Sequence, residues 1–296
     1  MTELTKIVIP VAGLGTRVLP ASKVIPKEML TVVDKPVIQY VVEEAVAAGF
    51  REIILVTRPI KKAIESHFEP QTELEETLLA KGKIEQLAMV SDILPRGVRI
   101  STAFQDEPLG LGHAVLCAAE LIGDDDFAVS LPDVLIFNPD GDHAQDLKNI
   151  VAAFQQNHAA QIMVERVPDD QVSSYGIVDC GGARFETGVS HNVVAMVEKP
   201  SVDAAPSNQS IIGRYILPSR TLELLRQTRP GAGGEIQLTD AINALIGETP
   251  VQANGMYGRT YDCGSKLGYL LANINFGLRH PEIGTDLANW LRQQEF

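Results

Sequence analysis

Two positive charges close behind a pair of glycines are the first residues in this chain that could do chemistry. Gly13-Leu14-Gly15 is followed by Arg17, and soon afterwards by Lys27-Glu28-Met29-Leu30. Glycine lets backbone N–H groups approach a ligand with no Cβ in the way. Fixed positive charge beside such a loop suits the phosphates of a nucleotide better than a neutral ligand. No Gly-Lys-Ser or Gly-Lys-Thr occurs, which excludes a Walker A loop. A dinucleotide fingerprint would need its third glycine where Val18 stands. Asp34 lies at a suitable distance for that reading, but Pro20 and Pro26 would break the helix such a fingerprint opens.

A second glycine-rich loop, Pro108-Leu109-Gly110-Leu111-Gly112-His113, runs into an apolar helix expected over 114–121. Two glycines at a helix entry allow close approach to a flat or anionic ligand. Phe127-Ala128-Val129-Ser130-Leu131 reads as a buried strand capped by Pro132-Asp133. Ligands in open α/β sheets lie beyond the carboxyl ends of strands, so Asp133 is positioned to face one; an aspartate there also serves as a turn or cap residue. The histidines form no His-x-x-x-His or Glu-x-x-His pattern. Cys117, Cys180 and Cys263 are far apart and odd in number, which indicates neither a disulfide frame nor a zinc site.

The elements that must hold these residues follow from periodicity. Ile7-Val8-Ile9-Pro10-Val11 is an apolar run feeding the first loop, hence a buried strand. Residues 36–49 read as a helix: proline opens it, Ile38, Val41, Val42 and Ala45 share a face, and Gly49 closes it. With Ile53-Ile54-Leu55-Val56 as the next strand, the order is a βαβ unit, whose crossover is right-handed and whose strands are buried on both faces. Helices are predicted over 61–68 and 73–89, then a strand over 98–104 ending at Gln105. A helix over 146–158 and a strand over 161–167 follow. Short β-prone segments at 175–178, 193–197 and 211–217 then predict a mixed, partly antiparallel second half. Helices are predicted at 220–227 and 235–246, a hairpin-like stretch at 256–262, and tail helices at 266–278 and 285–292.

At 296 residues and 45% hydrophobic content, the chain can form one large domain with a buried core. Its net charge of -13 argues against a nucleic-acid backbone or an anionic membrane as partner, since both would be repelled. A nucleotide needs only local positive charge, which the first loop supplies. No signal-like leader or membrane-length apolar run is evident, so a cytoplasmic, reducing location is expected.

Five motifs taken together are more specific than any one. Gly13-Leu14-Gly15-Thr16-Arg17, Pro26-Lys27-Glu28-Met29-Leu30, Pro108-Leu109-Gly110-Leu111-Gly112-His113-Ala114-Val115, Val197-Glu198-Lys199-Pro200 and Tyr261-Asp262-Cys263-Gly264-Ser265-Lys266 occur in order. They resemble the bacterial UTP–glucose-1-phosphate uridylyltransferases, a family of sugar-nucleotide pyrophosphorylases, across nearly the whole chain. The resemblance implies a doubly wound, Rossmann-like α/β nucleotidyltransferase fold, with a mixed, mainly parallel sheet covered by helices. Within it, 1–145 would be a nucleotide-binding half, 146–264 a sugar-phosphate half and 265–296 a helical tail.

The implied reaction is attack of glucose-1-phosphate on the α-phosphorus of UTP, with Mg²⁺ required, giving UDP-glucose and pyrophosphate. Such a transfer needs two polyanions held in line, not a covalent protein nucleophile. By resemblance, Ala12 and Gly13 lie under the nucleotide, with Glu28 in the same motif, and Arg17 and Lys27 hold the triphosphate. Gln105 and Gly110 read the uracil edge. Asp133 is the Mg²⁺ ligand and Asp262 a second carboxylate, while Val134 stands where relatives often carry another acid. Gly176, Glu198 and Gly213 belong to the sugar site, and Lys199 to the sugar phosphate. A homodimer or homotetramer is also implied, although apolar tail faces equally suit an annex on the monomer. Rival readings are a thymidylyl- or other nucleotidyl-transferase, a catalytically silent sugar-nucleotide-binding subunit and, from Gly13, Gly15 and Asp34, a dehydrogenase.

Overall fold

A computed structural model of the chain describes residues 4–294. Strand β1 (Lys6–Pro10) delivers the first glycine loop. As Pro20 and Pro26 require, no α-helix follows; three short 3-10 turns cover Thr16–Val18, Ala21–Lys23 and Lys27–Met29. After the small antiparallel pair β2 (Thr31–Val32) and β3 (Lys35–Pro36), α1 (Val37–Ala47) starts directly behind Pro36 and buries Ile38, Val41, Val42 and Ala45. Fully buried β4 (Glu52–Thr57) then runs parallel to β1, completing the βαβ unit.

Beyond α2 (Lys62–Phe68), the single helix expected over 73–89 is two, α3 (Thr72–Ala80) and α4 (Ile84–Ser91). Gly82 between them adopts φ 66°, a left-handed conformation that ends a helix and suits glycine. β5 (Arg99–Phe104) lies parallel to β4. The helix expected over 114–121 begins earlier and is broken, as α5 (Leu111–Cys117) and α6 (Ala119–Ile122). β6 (Phe127–Ser130) pairs parallel with β1, and the unanticipated β7 (Val134–Phe137) lies outside the main sheet.

In the second half, α7 (Gln145–Asn157) ends at a left-handed His158 and is followed by β8 (Ala160–Arg166). Next come β9 (Gly176–Asp179), β10 (Ser190–Asn192), β11 (Ala195–Glu198) and β12 (Gln209–Leu217). α8 (Arg220–Gln227) matches expectation, but α9 (Leu238–Ile246) starts three residues late. The preceding Ile236 is tied to the second glycine loop: its N–H donates to Leu109 O at 2.8 Å, and its carbonyl accepts from Gly112 N–H at 2.9 Å. No hairpin forms over 256–262. β13 (Val251–Gly255) joins the main sheet beside β8, and β14 (Arg259–Asp262) pairs with β7. The tail is α10 (Lys266–Arg279) and α11 (Gly284–Arg292); residues 295–296 of the expected tail, like residues 1–3, lie outside the described residues.

The main sheet runs β10-β13-β8-β12-β6-β1-β4-β5, with β9 and β11 attached beside β12. Strands β6, β1, β4 and β5 are mutually parallel, as are β8 and β13, whereas β12 is antiparallel to both β6 and β8. β12 thereby stitches the two halves into one sheet across the expected boundary at 145. Side chains alternate between faces, so Ile7 and Ile9 enter a core with Val41, Phe154 and Phe276, and Val8 enters another with Leu225 and Ile242. Each face is thus helix-covered, a doubly wound α/β arrangement. The parallel strands end at Pro10, Thr57, Phe104 and Ser130, which gathers the glycine loop, Lys61, Gln105 and Asp133 along one edge.

Candidate active site

The first glycine loop turns at Gly15, where φ is 66° and the carbonyl accepts from Ser22 Oγ at 2.7 Å. Gly13 and Leu14 are exposed at its crest, while Ala12 is buried at its foot. Beneath it lies Lys61, a residue with no motif to announce it. Its Nζ donates to Val11 O and Gly13 O, each at 2.6 Å, and to the Glu28 carboxylate at 3.0 and 3.2 Å. Glu28 is fully buried, so its carboxylate acts on the loop through Lys61. Burial pushes Glu28 up from the usual carboxylate range and Lys61 down from the usual ammonium range, since desolvation disfavours both charges.

Two carboxylates and two cations meet beside the loop. Lys27 Nζ, which lies over Gly13, reaches Asp133 Oδ2 at 2.5 Å, and Arg17 donates to Asp262 Oδ2 at 2.7 Å while its other nitrogen lies 3.6 Å from Asp133. Gly264 N–H donates to Asp262 Oδ1 at 2.9 Å. A Cβ built on Gly264 would fall 2.6 Å from Asp133 Oδ2 and 2.9 Å from Asp262 Oδ1, so glycine leaves open a cradle between the carboxylates. Among the described residues no three His, Cys, Asp or Glu side chains assemble into a metal cage. A pair of hard carboxylates fits a cation of the Mg²⁺ kind, which keeps waters and takes phosphate oxygens for its remaining ligands.

Asp133 is itself braced. Arg214, wholly buried in β12, donates to Leu131 O at 3.2 Å and Val134 O at 2.7 Å, on either side of Asp133. Its guanidinium is held by Glu44 of α1 at 2.8 and 3.0 Å. One sequence signal existed: an arginine in the midst of the apolar run Ile211 to Leu217.

Arg17, Asp133 and Asp262 stand at one side of a cavity of about 730 Å³ that also takes in Gly176, Glu198, Lys199, Tyr175 and Thr239. Gly176 and Glu198 are cross-strand partners in β9 and β11, and a Cβ on Gly176 would come within 3.1 Å of Glu198 Oε2. Lys199 follows in a left-handed conformation, φ 46°, which a non-glycine residue adopts only when its surroundings impose it. Its N–H donates to Tyr175 O at 3.0 Å, and its Nζ lies 3.5 Å from Glu198. Glu165 also lines the cavity; burial raises its carboxyl above the usual range, and Thr260 donates to it.

The structure therefore brings six of the sequence-predicted residues to one cavity: Arg17, Asp133, Gly176, Glu198, Lys199 and Asp262. Lys27 joins them through Asp133. Ala12, Gly13, Glu28, Gln105 and Gly110 lie elsewhere along the strand-end edge. Gln105 is buried and its amide donates to Gly110 O at 3.1 Å. Gly110, at φ 98°, presses against Glu235 and Ile236, where a Cβ would meet atoms 2.8 Å away. Gly213 does not line the cavity. It is buried at a break in the β12 register, φ 83°, where a Cβ would strike Leu131 at 2.4 Å. Its neighbours Ile211, Ile212 and Tyr215 form the wall instead. Asp34, the acid of the dehydrogenase reading, lies 3.1 Å from His280 of the C-terminal tail. Among the described residues no helix is long and apolar enough to cross a membrane.

Comparison with known proteins identifies the relatives of this chain. The family model described as nucleotidyl transferase matches residues 6–275. The UTP–glucose-1-phosphate uridylyltransferase of Haemophilus influenzae is 49% identical over 288 residues, covering 97% of this chain and 98% of that one. The Escherichia coli protein of the same name is 50% identical over 294 residues, covering 99% and 97%. Among solved structures, a UTP-bound UGPase from Acinetobacter baumannii superposes with a TM-score of 0.92 at 50% identity, covering 99% of this chain and 100% of that one. A UDP-glucose pyrophosphorylase complexed with UDP-glucose gives 0.81 at 36% identity, covering 94% and 100%.

Proposed function

The chain belongs to the nucleotidyl transferase family, among the UTP–glucose-1-phosphate uridylyltransferases, and from that premise we propose how its cleft transfers UMP from UTP to glucose-1-phosphate, releasing pyrophosphate and UDP-glucose. The observation that carries the reading is the junction of two cations and two carboxylates at the strand-end edge, opening into the cavity that holds Glu198 and Lys199.

A phosphate oxygen of glucose-1-phosphate attacks the α-phosphorus of UTP. One phosphorus–oxygen bond forms as the bond to the β-phosphate bridge breaks, and the electron pair leaves with pyrophosphate. Catalysis is positioning and charge stabilisation. Ala12 and Gly13 support the nucleotide, and Gln105 and Gly110 meet its base. Arg17 and Lys27 exchange their carboxylate partners for phosphate oxygens and stabilise the departing pyrophosphate. Glu198, beside Gly176, accepts hydrogen bonds from sugar hydroxyls. Lys199 sets a point charge against the sugar phosphate, where negative charge accumulates. Asp133 and Asp262 would hold Mg²⁺, which neutralises phosphate charge when bound.

Three free cysteines suit a reducing cytoplasm. Exposed Leu267, Leu270, Leu271 and Ile274 repeat along α10 at helical spacing, which supports self-association into a homodimer or homotetramer.

The test is pyrophosphate release with glucose-1-phosphate and each nucleoside triphosphate, with and without chelator. UTP is expected to exceed dTTP and CTP, with activity lost to chelator and restored by Mg²⁺. Preference for dTTP, or UDP-glucose binding without turnover, would overturn the reading; sedimentation as a monomer at micromolar concentration would remove the oligomer.

A further inference from the structure

Lys61 is a buried charged group that the reaction does not use, and its four contacts give it a role. A trans peptide points its C=O and N–H in opposite directions. By capturing Val11 O and Gly13 O from below, Lys61 turns the N–H groups of Ala12 and Leu14 away from the core and toward the open crest of the loop. The N–H groups of Ala12, Gly13, Leu14 and Gly15 donate to no acceptor among the described residues. Lys27 adds its charge above Gly13, where its Nζ is 3.9 Å from an ideal Cβ. A row of outward N–H groups beneath a lysine is an anion-binding concavity.

The three ammonium protons of Lys61 match its acceptors: one for each carbonyl and one shared by the two Glu28 oxygens. Glu28 makes this arrangement tenable, because a buried ammonium needs a counter-charge. The pair sits with Lys61 9% exposed and Glu28 at 0%, out of reach of solvent screening.

We propose that Lys61 is a positioning residue that pre-organises the first glycine loop for the triphosphate, with Glu28 as its buried counter-ion. The inference rests on the uridylyltransferase reading and deepens it: the loop's hold on phosphate is set from beneath, by a side chain that never touches substrate.

The experiment compares wild type, Lys61→Met and the charge-free double variant Glu28→Gln/Lys61→Met, with Glu28→Gln alone as control. Thermal melting checks folding, and steady-state kinetics gives KM for UTP and for glucose-1-phosphate separately. Removing a neutral–charged tether that orients two loop peptides is expected to raise KM for UTP roughly 10- to 100-fold. KM for glucose-1-phosphate should stay within about threefold. If Lys61→Met fails to fold because Glu28 is stranded, the double variant carries the test, since replacing both charges of a buried pair is often neutral for stability. Glu28→Gln keeps the carbonyl tethers and should therefore fall short of the double variant's loss. A folded Lys61 variant with near-normal KM for UTP, or with both KM values raised together, overturns the proposal. Failure of the wild type to use UTP would instead overturn the uridylyltransferase reading.

Discussion

Gly264→Ala adds a single methyl group at the meeting point of Arg17, Asp133 and Asp262. The new Cβ would lie 2.6 Å from Arg17 Nη2 and from Asp133 Oδ2, and 2.9 Å from Asp262 Oδ1, against ordinary contact from 3.4 Å. Each of the two closer atoms must retreat by about 0.8 Å. Since Gly264 lies outside the left-handed region, alanine adds no backbone strain. The atoms that must yield are side-chain ends facing a cavity, so accommodation falls on the reacting groups and not on the core. Misplacing catalytic groups by about 1 Å costs on the order of 10² in rate. The expected result is a fall of roughly 10²-fold in kcat, a raised Mg²⁺ concentration for half-maximal activity, and a melting temperature within about 4 °C of wild type, the shift of at most roughly 1 kcal/mol. Activity assays over a metal titration, with calorimetric melting alongside, measure all three. Wild-type kcat at the wild-type metal requirement would refute the cradle; a large loss of stability with unchanged activity would refute the division between site and core.

Other perturbations separate the remaining parts. Lys199→Ala is expected to lower kcat by about 10² or more, the scale of losing one preorganised charge donor, and near-normal turnover would remove Lys199 from the mechanism. Asp133→Asn should reduce turnover yet tighten metal-free UTP binding, because it takes away the carboxylate that Lys27 and Arg17 both face; calorimetry in chelator showing weaker binding would count against that. Glu44→Ala strands the buried Arg214 charge and should cost roughly 3–5 kcal/mol of stability in urea denaturation, much of which Glu44→Leu/Arg214→Met should restore.

Continuous apolar runs made the parallel part of the sheet legible. Ile7, Val8 and Ile9, then Ile53 to Val56, declared buried parallel strands, and Pro36 and Gly49 marked a helix at both ends. What escaped was decided by partners distant in sequence. Residues 256–262 look like a hairpin, yet β14 pairs with β7, more than a hundred residues earlier, and that pairing carries Asp262 to the neighbourhood of Asp133. The start of α9 was hidden because Ile236 exchanges hydrogen bonds with the second glycine loop. For the site, motif residues that face the cleft could be listed in advance, whereas their supports could not. Lys61, in the run Arg58 to Lys62, reads as one more surface lysine, and only the fold reveals the carbonyls above it. Gly213 shows the converse: its glycine is demanded by the close approach of the Leu131 side chain, a packing constraint indistinguishable in sequence from a ligand contact.

The charge arrangement explains how a chain of net charge -13 can gather two polyanions. Arg17 and Lys27 both approach Asp133, and without that carboxylate they would repel each other across the site. Asp133 and Asp262 hold the two cations beside the glycine loop, and Arg214 holds the backbone on either side of Asp133. The two pairs together carry no net charge, so the site stays ordered before substrate arrives. On the proposed reading, phosphate oxygens of the triphosphate would take over Arg17 and Lys27, and Asp133 and Asp262 would be freed to hold a divalent cation, which would supply charge neutralisation there. Each partner would then be exchanged for one of the same sign, so that the more buried members of the cluster, Lys27 and Asp133, would not be left with an unpaired charge.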